Sequence, residues 1–357
     1  MTDQDNGRVK RGQRRGARGP TVADVARLAQ VSPMTVSRVV NSDPKVHEAT
    51  RAKVEKAIAE LGYVPNLAAR SLAGGRQCRI GLLHSNPSSA YLSEFLVGSN
   101  EQANAMGAQL LVEHFEEEAS REALAAKLLS HRVDAVLLPP PLSDDVLLLE
   151  CINRAGLVMA QVATGAPSPL AHAVTIDDEA AAYALTARLT GLGHRRIGFI
   201  GGAPNQTASA LRRNGYRRAL AEAGIDGDRR LETTGDFTFR SGMDCALALL
   251  SLDEPPTAIF ASNDDMAAAT VAAAHRMGLD VPRQLSVCGF DDTASATNVW
   301  PELTTARQPV ADMAREAVRL LVDSVFDPKA RAPRHVRVDF SLVLRASDAK
   351  LIAPRAG

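Results

Sequence analysis

"TVADVARLAQVSPMTVSRVVN", Thr21 to Asn41, holds two short helical patterns on either side of a tight turn. Thr21 can cap the helix VADVARLA, with Asp24 at the acidic third position of a capping box. Gln30-Val31 makes the turn. Ser32 then caps a second helix, with Pro33 at its first position, where a missing N–H costs little. Val36, Val39 and Val40 give that helix an apolar face. Two helices joined so closely have the outline of a helix-turn-helix, whose second helix enters the DNA major groove with its N-terminal residues foremost. Pro33 and Met34 stand at the leading end, where side chains touch base edges and thymine methyl groups. Thr35, Ser37 and Asn41 can bond phosphates or bases, and Arg38 can pair with guanine through two hydrogen bonds. On shape alone, an ordinary surface helix fits equally well.

Working outward, a third helix is predicted from about Glu48 to Leu61, with Val54, Ala57, Ile58 and Leu61 on one face and Gly62 ending it. His47 stands at its cap, where a hydroxyl side chain would cap more strongly. Pro65 to Gly75 reads as a linker with a short helix closed by a glycine pair. Residues 1–20 are Arg/Gly-rich without hydrophobic period and are expected to be disordered. A net charge of zero hides an asymmetry: residues 1–77 carry 14 Lys/Arg against 7 Asp/Glu, so the remaining 280 residues are acidic to the same extent. A basic module on an acidic body points to a polyanionic partner. Six of those cations lie in residues 8–18, however, and a solubilising tail accounts for them as well.

From Arg79 the pattern changes to alternating strands and helices. Strands are predicted at residues 80–84, 109–113, 135–138, 157–162, 197–200, 258–262 and 286–289. Amphipathic helices are predicted at 92–106, 120–130, 178–192, 205–223, 240–250, 264–277 and 310–326. This alternation predicts an α/β body of two doubly wound parallel sheets, with ligands bound beyond the carboxyl ends of the strands.

Other classes find little support. There is no run of about 18 apolar residues to span a membrane, and the first residues lack a signal peptide's apolar core, so a cytoplasmic protein is expected. Cys78, Cys151, Cys245 and Cys288 lie far apart, and the eight histidines form no metal-spaced group, so neither metal nor cofactor is expected. H-E-x-x-H, G-x-S-x-G, P-loop and G-x-G-x-x-G patterns are absent. "GFIGGAPN" follows a strand but lacks the lysine and the glycine spacing of a phosphate-binding loop, so no enzyme is expected.

"TVADVARLAQVSPMTVSRVVN" followed by "RAKVEKAIAELGYVPNLAARSLAGG" resembles the headpiece and hinge of the LacI/GalR family of bacterial repressors. "GHRRIGFIGG", "ALRRNGYRRAL", "GDFTFRSG", "PTAIFASNDDMAAA", "LSVCGFDDT" and "PELTTARQP" extend the resemblance through the body in the same order. It implies a disordered arm over 1–20, a DNA-binding headpiece over 21–65, a hinge helix and linker over 66–78, and an effector-binding and dimerisation domain over 79–357. Its body would have a periplasmic-binding-protein-like fold. It further implies a repressor of carbohydrate-utilisation genes that binds near-palindromic operator DNA as a homodimer and is released by a mono- or disaccharide. A corepressor-dependent regulator with a non-sugar effector and a sugar-transport protein are the alternatives. The resemblance places Pro33, Met34 and Arg38 at bases and Thr21, Thr35, Ser37, Asn41, Tyr63 and Asn66 at backbone or framework positions. It puts Leu72 at a minor-groove wedge beside Ala69. For the effector it implies Asn86, Tyr91, Gln161, Arg212, Phe237, Asn263, Asp291 and Gln308. Gln161 departs from sugar-responsive relatives, which carry Asp there. Taken alone, Arg212 would as readily be a solvated helix cation, and Asp264 and Asp265 read better as first-turn residues than as ligands.

Overall fold

The computed structural model describes residues 20–40, 46–63, 77–115 and 120–351. The chain forms two compact units, Met1–Gly74 and Gly75–Gly357. The basic arm up to residue 19, Asn41, and the hinge positions Asn66, Ala69 and Leu72 lie outside the described residues.

Three helices make the core of the first unit: α1 (Val22–Ala29), α2 (Pro33–Val40) and α3 (Glu48–Leu61). Local rules set their ends. Thr21 Oγ1 donates to Asp24 Oδ2 at 2.7 Å, and the Thr21 N–H donates to the same oxygen at 3.0 Å, completing the capping box. Gln30 takes a left-handed backbone (φ 53°) that turns the chain between α1 and α2. The Thr35 N–H donates to Ser32 Oγ at 3.1 Å, capping α2. His47 caps α3 with no side-chain hydrogen bond, and Gly62 ends that helix in the left-handed region. Val25, Ala26, Val36, Val39, Val54, Ala57 and Tyr63 are buried together as a small core.

The second unit is an α/β body of two lobes, each built on a six-stranded sheet. The strands of the first sheet are β1 (Arg79–His84), β2 (Gln109–His114), β3 (Ala135–Leu138), β4 (Val158–Val162), β5 (His172–Thr175) and β11 (His335–Arg337). They run in the order β2-β1-β3-β4-β5-β11, all parallel. The second sheet comprises β6 (Ile197–Gly201), β7 (Glu232–Thr234), β8 (Ala258–Ala261), β9 (Ser286–Asp291), β10 (Thr304–Arg307) and β12 (Ser341–Val343). Its order is β7-β6-β8-β9-β10-β12, parallel except for β12 against β10. Each lobe has its own apolar core, around Leu83, Val136 and Leu148 in the first and Ile259, Val287 and Leu303 in the second.

The helices of the first lobe are α4 (Ser89–Ala105), α5 (Arg121–Ser130) and α6 (Val146–Arg154). Those of the second are α7 (Asp178–Gly191), α8 (Thr207–Glu222), α9 (Phe239–Leu250), α10 (Asp264–Arg276) and the short α11 (Ala294–Thr297). α12 (Val310–Phe326) follows a strand of the second lobe yet packs on α4 and on β3, β4 and β5. The chain therefore passes between lobes three times: between β5 and α7, between β10 and α12, and between β11 and β12.

The seven predicted strands coincide with observed ones, while β5, β7, β10, β11, β12 and the helices α6 and α11 escaped the sequence reading. Cys78, Cys151 and Cys288 are buried, Cys245 is half-buried, and all four are free thiols.

Candidate functional site

In the first unit, the turn of α2 that faces its core leaves another face open. Val36 and Val39 are buried, whereas Pro33, Met34 and Arg38 are exposed, Met34 at 64%. Met34 and Arg38 stand four residues apart, one above the other on the helix surface. Thr35 and Ser37 are half-buried at the flanks of that face, and Thr35 Oγ1 lies 2.9 Å from Ser32 Oγ. Thr21 is exposed but committed to its capping box. Tyr63 is buried in the helical core, 7% exposed. An apolar methionine is thus exposed beside an arginine on one helix face. The pair has the chemistry of a base-edge reader.

In the body, strand ends from both lobes converge on one pocket. Asn86 follows β1, Ser88 and Tyr91 belong to the start of α4, Pro140 follows β3, and Ala163 follows β4. Facing them are Gln206, Ala208 and Arg212 of α8, Phe237 after β7, Asn263 after β8, Asp291 at the end of β9 and Gln308 after β10. Three of these residues hold left-handed backbones without being glycine: Ala163 (φ 54°), Phe237 (φ 68°) and Asp291 (φ 105°). Each such residue costs on the order of 1–3 kcal/mol, and strain of this kind gathers at binding sites.

Arg212 is only 4% exposed, which removes the solvated-cation reading. Its Nε donates to Asp178 Oδ1 at 2.8 Å and its Nη1 to the Ser262 carbonyl at 2.6 Å. Asp291 Oδ1 lies 3.9 Å from Nη1, and the Phe290 ring lies 3.7 Å beneath the guanidinium carbon. Gln308 Nε2 donates to Asp291 Oδ1 at 2.9 Å. Burial pushes the Asp291 carboxyl up to about 7, against the pull of Arg212 and of the Gln308 hydrogen bond. Burial, then the charge of Asp291, likewise raises the Tyr91 phenol well above its ordinary value. Asn263 caps α10 by accepting from the Met266 N–H, and its Nδ2 donates to the Phe237 carbonyl at 2.9 Å, fixing the strained turn. Asn86 is similarly engaged, donating to the Pro140 carbonyl at 3.0 Å and accepting from the Ser88 N–H. Tyr91 Oη and Gln308 Oε1 are buried with no hydrogen-bond partner among the described residues.

The structure thus gathers Asn86, Tyr91, Arg212, Phe237, Asn263, Asp291 and Gln308 at one place, and it leaves Gln161 out. Gln161 is buried, with Nε2 donating to the Ser143 carbonyl and Oε1 accepting from the Ser168 N–H at 2.8 Å. Both ends of its amide are engaged there, one with the loop after β3 and one with the loop after β4. Asp264 and Asp265 do sit in the first turn of α10. Asp264 is also a buried brace, accepting from the Thr293 N–H at 2.8 Å and from Thr305 Oγ1 at 2.7 Å. Asp292 is held by Arg307 and Arg345. Sequence reasoning missed Ser88, Gln206 and Asp178. Ser88 was legible as the cap of α4 and Asp178 as an acidic helix start after a strand. No group of His, Cys, Asp and Glu suited to a metal occurs among the described residues, and no described helix is long and apolar enough to cross a membrane.

A three-helix module with an outward-facing second helix, followed by a two-lobed body with a polar cleft, defines a ligand-responsive DNA-binding regulator. The comparisons agree. Residues 21–66 match the model for bacterial regulatory proteins of the lacI family, and residues 186–347 match that for a periplasmic binding protein-like domain. The regulator CelR of Thermobifida fusca is 36% identical over 315 residues, 86% of this chain and 92% of that protein. Catabolite control protein A of Priestia megaterium is 34% identical over 305 residues, 84% of this chain and 91% of that protein. Among solved structures, a CelR–cellobiose complex matches with a TM-score of 0.71 at 33% identity, covering 92% of this chain and 99% of the other. The lac repressor dimer bound to operator and the anti-inducer ONPF matches with a TM-score of 0.69 at 28% identity, covering 93% and 100%. The chain belongs to the LacI/GalR family. It is a sequence-specific DNA-binding transcriptional regulator, not an enzyme.

Proposed function

We propose that the protein is a cytoplasmic repressor that binds near-palindromic operator DNA as a homodimer and is released by a small polyhydroxylated effector of the mono- or disaccharide type. The observation that carries the effector half is the pair of buried, unpartnered polar atoms, Tyr91 Oη and Gln308 Oε1, on two residues that line the same cleft as Arg212 and Asp291. Vicinal hydroxyls donate to and accept from such a set, and the aromatic rings of Tyr91 and Phe237 suit the C–H faces of a sugar. The likeness to a cellobiose-bound relative supports this chemistry. Operator choice falls to the open face of α2. Pro33 and Met34 lead it into the major groove, and Arg38 pairs with a guanine. A homodimer presents two such helices to two half-sites, and the lac repressor dimer on its operator supports that arrangement.

The test selects binding sites from random duplex DNA with the full-length chain, then compares Arg38→Ala on the recovered site and on a scrambled one. The variant should lose about 1–3 kcal/mol on the preferred site and far less on the scrambled duplex. Equal weakening on both would reduce Arg38 to a phosphate contact, and recovery of no preferred site would sink the operator reading. A sugar effector should lower affinity for the recovered site, whereas raised affinity would make it a corepressor.

A further inference from the structure

The pocket's charge narrows what it can hold, on the reading that this cleft is the effector site. Among the described residues lining it, Arg212 is the one cation. Its charge is already matched. Asp178, 1% exposed, takes Nε at 2.8 Å, and Asp291, 5% exposed, lies 3.9 Å from Nη1. The Ser262 carbonyl accepts from Nη1 at 2.6 Å, and the Phe290 ring closes one face of the guanidinium. Two carboxylates therefore surround one guanidinium in a buried, low-dielectric place. With both ionised the group sums to a single negative charge, and with one protonated it is neutral. A phosphate or carboxylate entering here would meet Asp291 across the pocket and find no unmatched positive charge. Its desolvation would go uncompensated. A hydroxyl meets no such penalty. It can donate to Gln308 Oε1, and it can exchange a hydrogen bond with Tyr91 Oη.

Asp178 is the residue that decides this balance. It does not line the pocket; it sits behind Arg212 at the start of α7, and its Oδ2 is buried with no partner among the described residues. Without its charge, Arg212 would face the cleft as a cation shared only with Asp291. We propose that Asp178 is a specificity-determining residue, which, by neutralising Arg212 from behind, restricts the effector to an uncharged hydroxyl-bearing molecule and excludes sugar phosphates and sugar acids.

The experiment follows thermal unfolding of the full-length chain with paired probes: glucose, galactose, ribose and cellobiose against glucose 6-phosphate, ribose 5-phosphate, gluconate and galacturonate. Inorganic phosphate at equal concentration corrects for general salt effects. At least one neutral probe should raise the melting temperature in a concentration-dependent manner, and its anionic counterpart should not. Asp178→Asn keeps the shape and removes the charge. In that variant an anionic counterpart should stabilise at tenfold or more below the concentration that affects the wild type, while Asp178→Glu should keep the exclusion. A phosphate or acid that stabilises the wild type as strongly as its neutral parent overturns the proposal without touching the sugar-type reading. So does anion exclusion that persists unchanged in Asp178→Asn. Should Asp178→Asn not fold, the wild-type panel decides by itself. Silence of the whole panel on the wild type would overturn the sugar-type reading and this inference with it.

Discussion

Asp291 combines an uncommon backbone with a buried carboxyl. It stands at φ 105°, a backbone that glycine would adopt without cost, and it carries a carboxyl buried beside Asp178 and Asp265. Arg212 and Gln308 favour its charged form, and burial outweighs them, so its titration moves from 3.8 to about 7. An acid raised in this way binds its proton more tightly folded than unfolded. Its contribution to stability is therefore full below the unfolded value and is lost as pH rises through about 7. Asp178 and Asp264, raised mainly by burial, act in the same direction. The melting temperature of the wild type should then fall between about pH 5 and about pH 8 by more than that of Asp291→Asn, which has no proton to lose there. Parallel pH profiles for the two proteins would place the titration elsewhere. The family resemblance made Asp291 and Arg212 visible as effector positions, although Arg212 by itself read as a solvated helix cation. It could not show that Arg212 is buried and paired from behind, because Asp178 lies 34 positions away and reaches it only through the packing of α7 on α8.

At the scale of elements, what was legible followed periodicity, and what was missed had none to show. α3 and α12 carry apolar residues at helical spacing over three or more turns, and the predicted bounds match the observed ones. β11 and β12 are three-residue edge strands with exposed and half-buried positions, defined by their partners β5 and β10 and not by any alternation of their own. The Val-Leu-Leu-Leu run of α6 suits a strand as well as a helix, and Asp145, accepting from the Leu148 N–H at 3.0 Å, sets it as a helix. Helix contacts were equally hidden. Gly98 of α4 lies so close to α12 that a Cβ there would come within 2.2 Å of the Ala311 carbonyl oxygen. Backbone cannot yield as a side-chain tip can, so Gly98→Ala should destabilise the body by at least the 1–3 kcal/mol typical of overpacking, roughly. Gly191 of α7 has no atom within 4 Å of its added Cβ, and Gly191→Ala should be neutral or stabilising by about 0.5–1 kcal/mol. Urea midpoints of the two variants measure the contrast, and equal midpoints would mean that α4 and α12 pack less closely than described.

For the whole body, the proposed function requires that the two lobes have more than one arrangement and that the effector tell them apart. Three chain crossings join the lobes, at about Ile176, Gln308 and Val338, and hydrogen bonds across the cleft hold them in the arrangement described. Asp144 of the first lobe accepts from the Thr207 N–H at 2.8 Å and from Thr207 Oγ1 at 2.9 Å, at the start of α8 in the second. On the other flank of the pocket, Ser88 Oγ donates to Asp265 Oδ2 at 2.6 Å. Each clasp is partly exposed and joins groups from different lobes, so opening the cleft must break both. The Asp144 clasp should weigh more, because its carboxylate takes two donors from the other lobe, one of them a backbone N–H at a helix start where negative charge is favoured. Removing it should disfavour the clasped arrangement by about 1.5–3 kcal/mol, the range for hydrogen bonds to a charged group. In Asp144→Ala, small-angle scattering of the effector-free protein should therefore report a larger radius of gyration than in the wild type, with the melting temperature of each lobe's core little changed. The same shift should alter operator affinity, up or down according to whether the clasped or the open arrangement holds DNA. An unchanged scattering curve together with unchanged operator affinity would show that the three crossings alone set the lobes, and that the clasps merely follow.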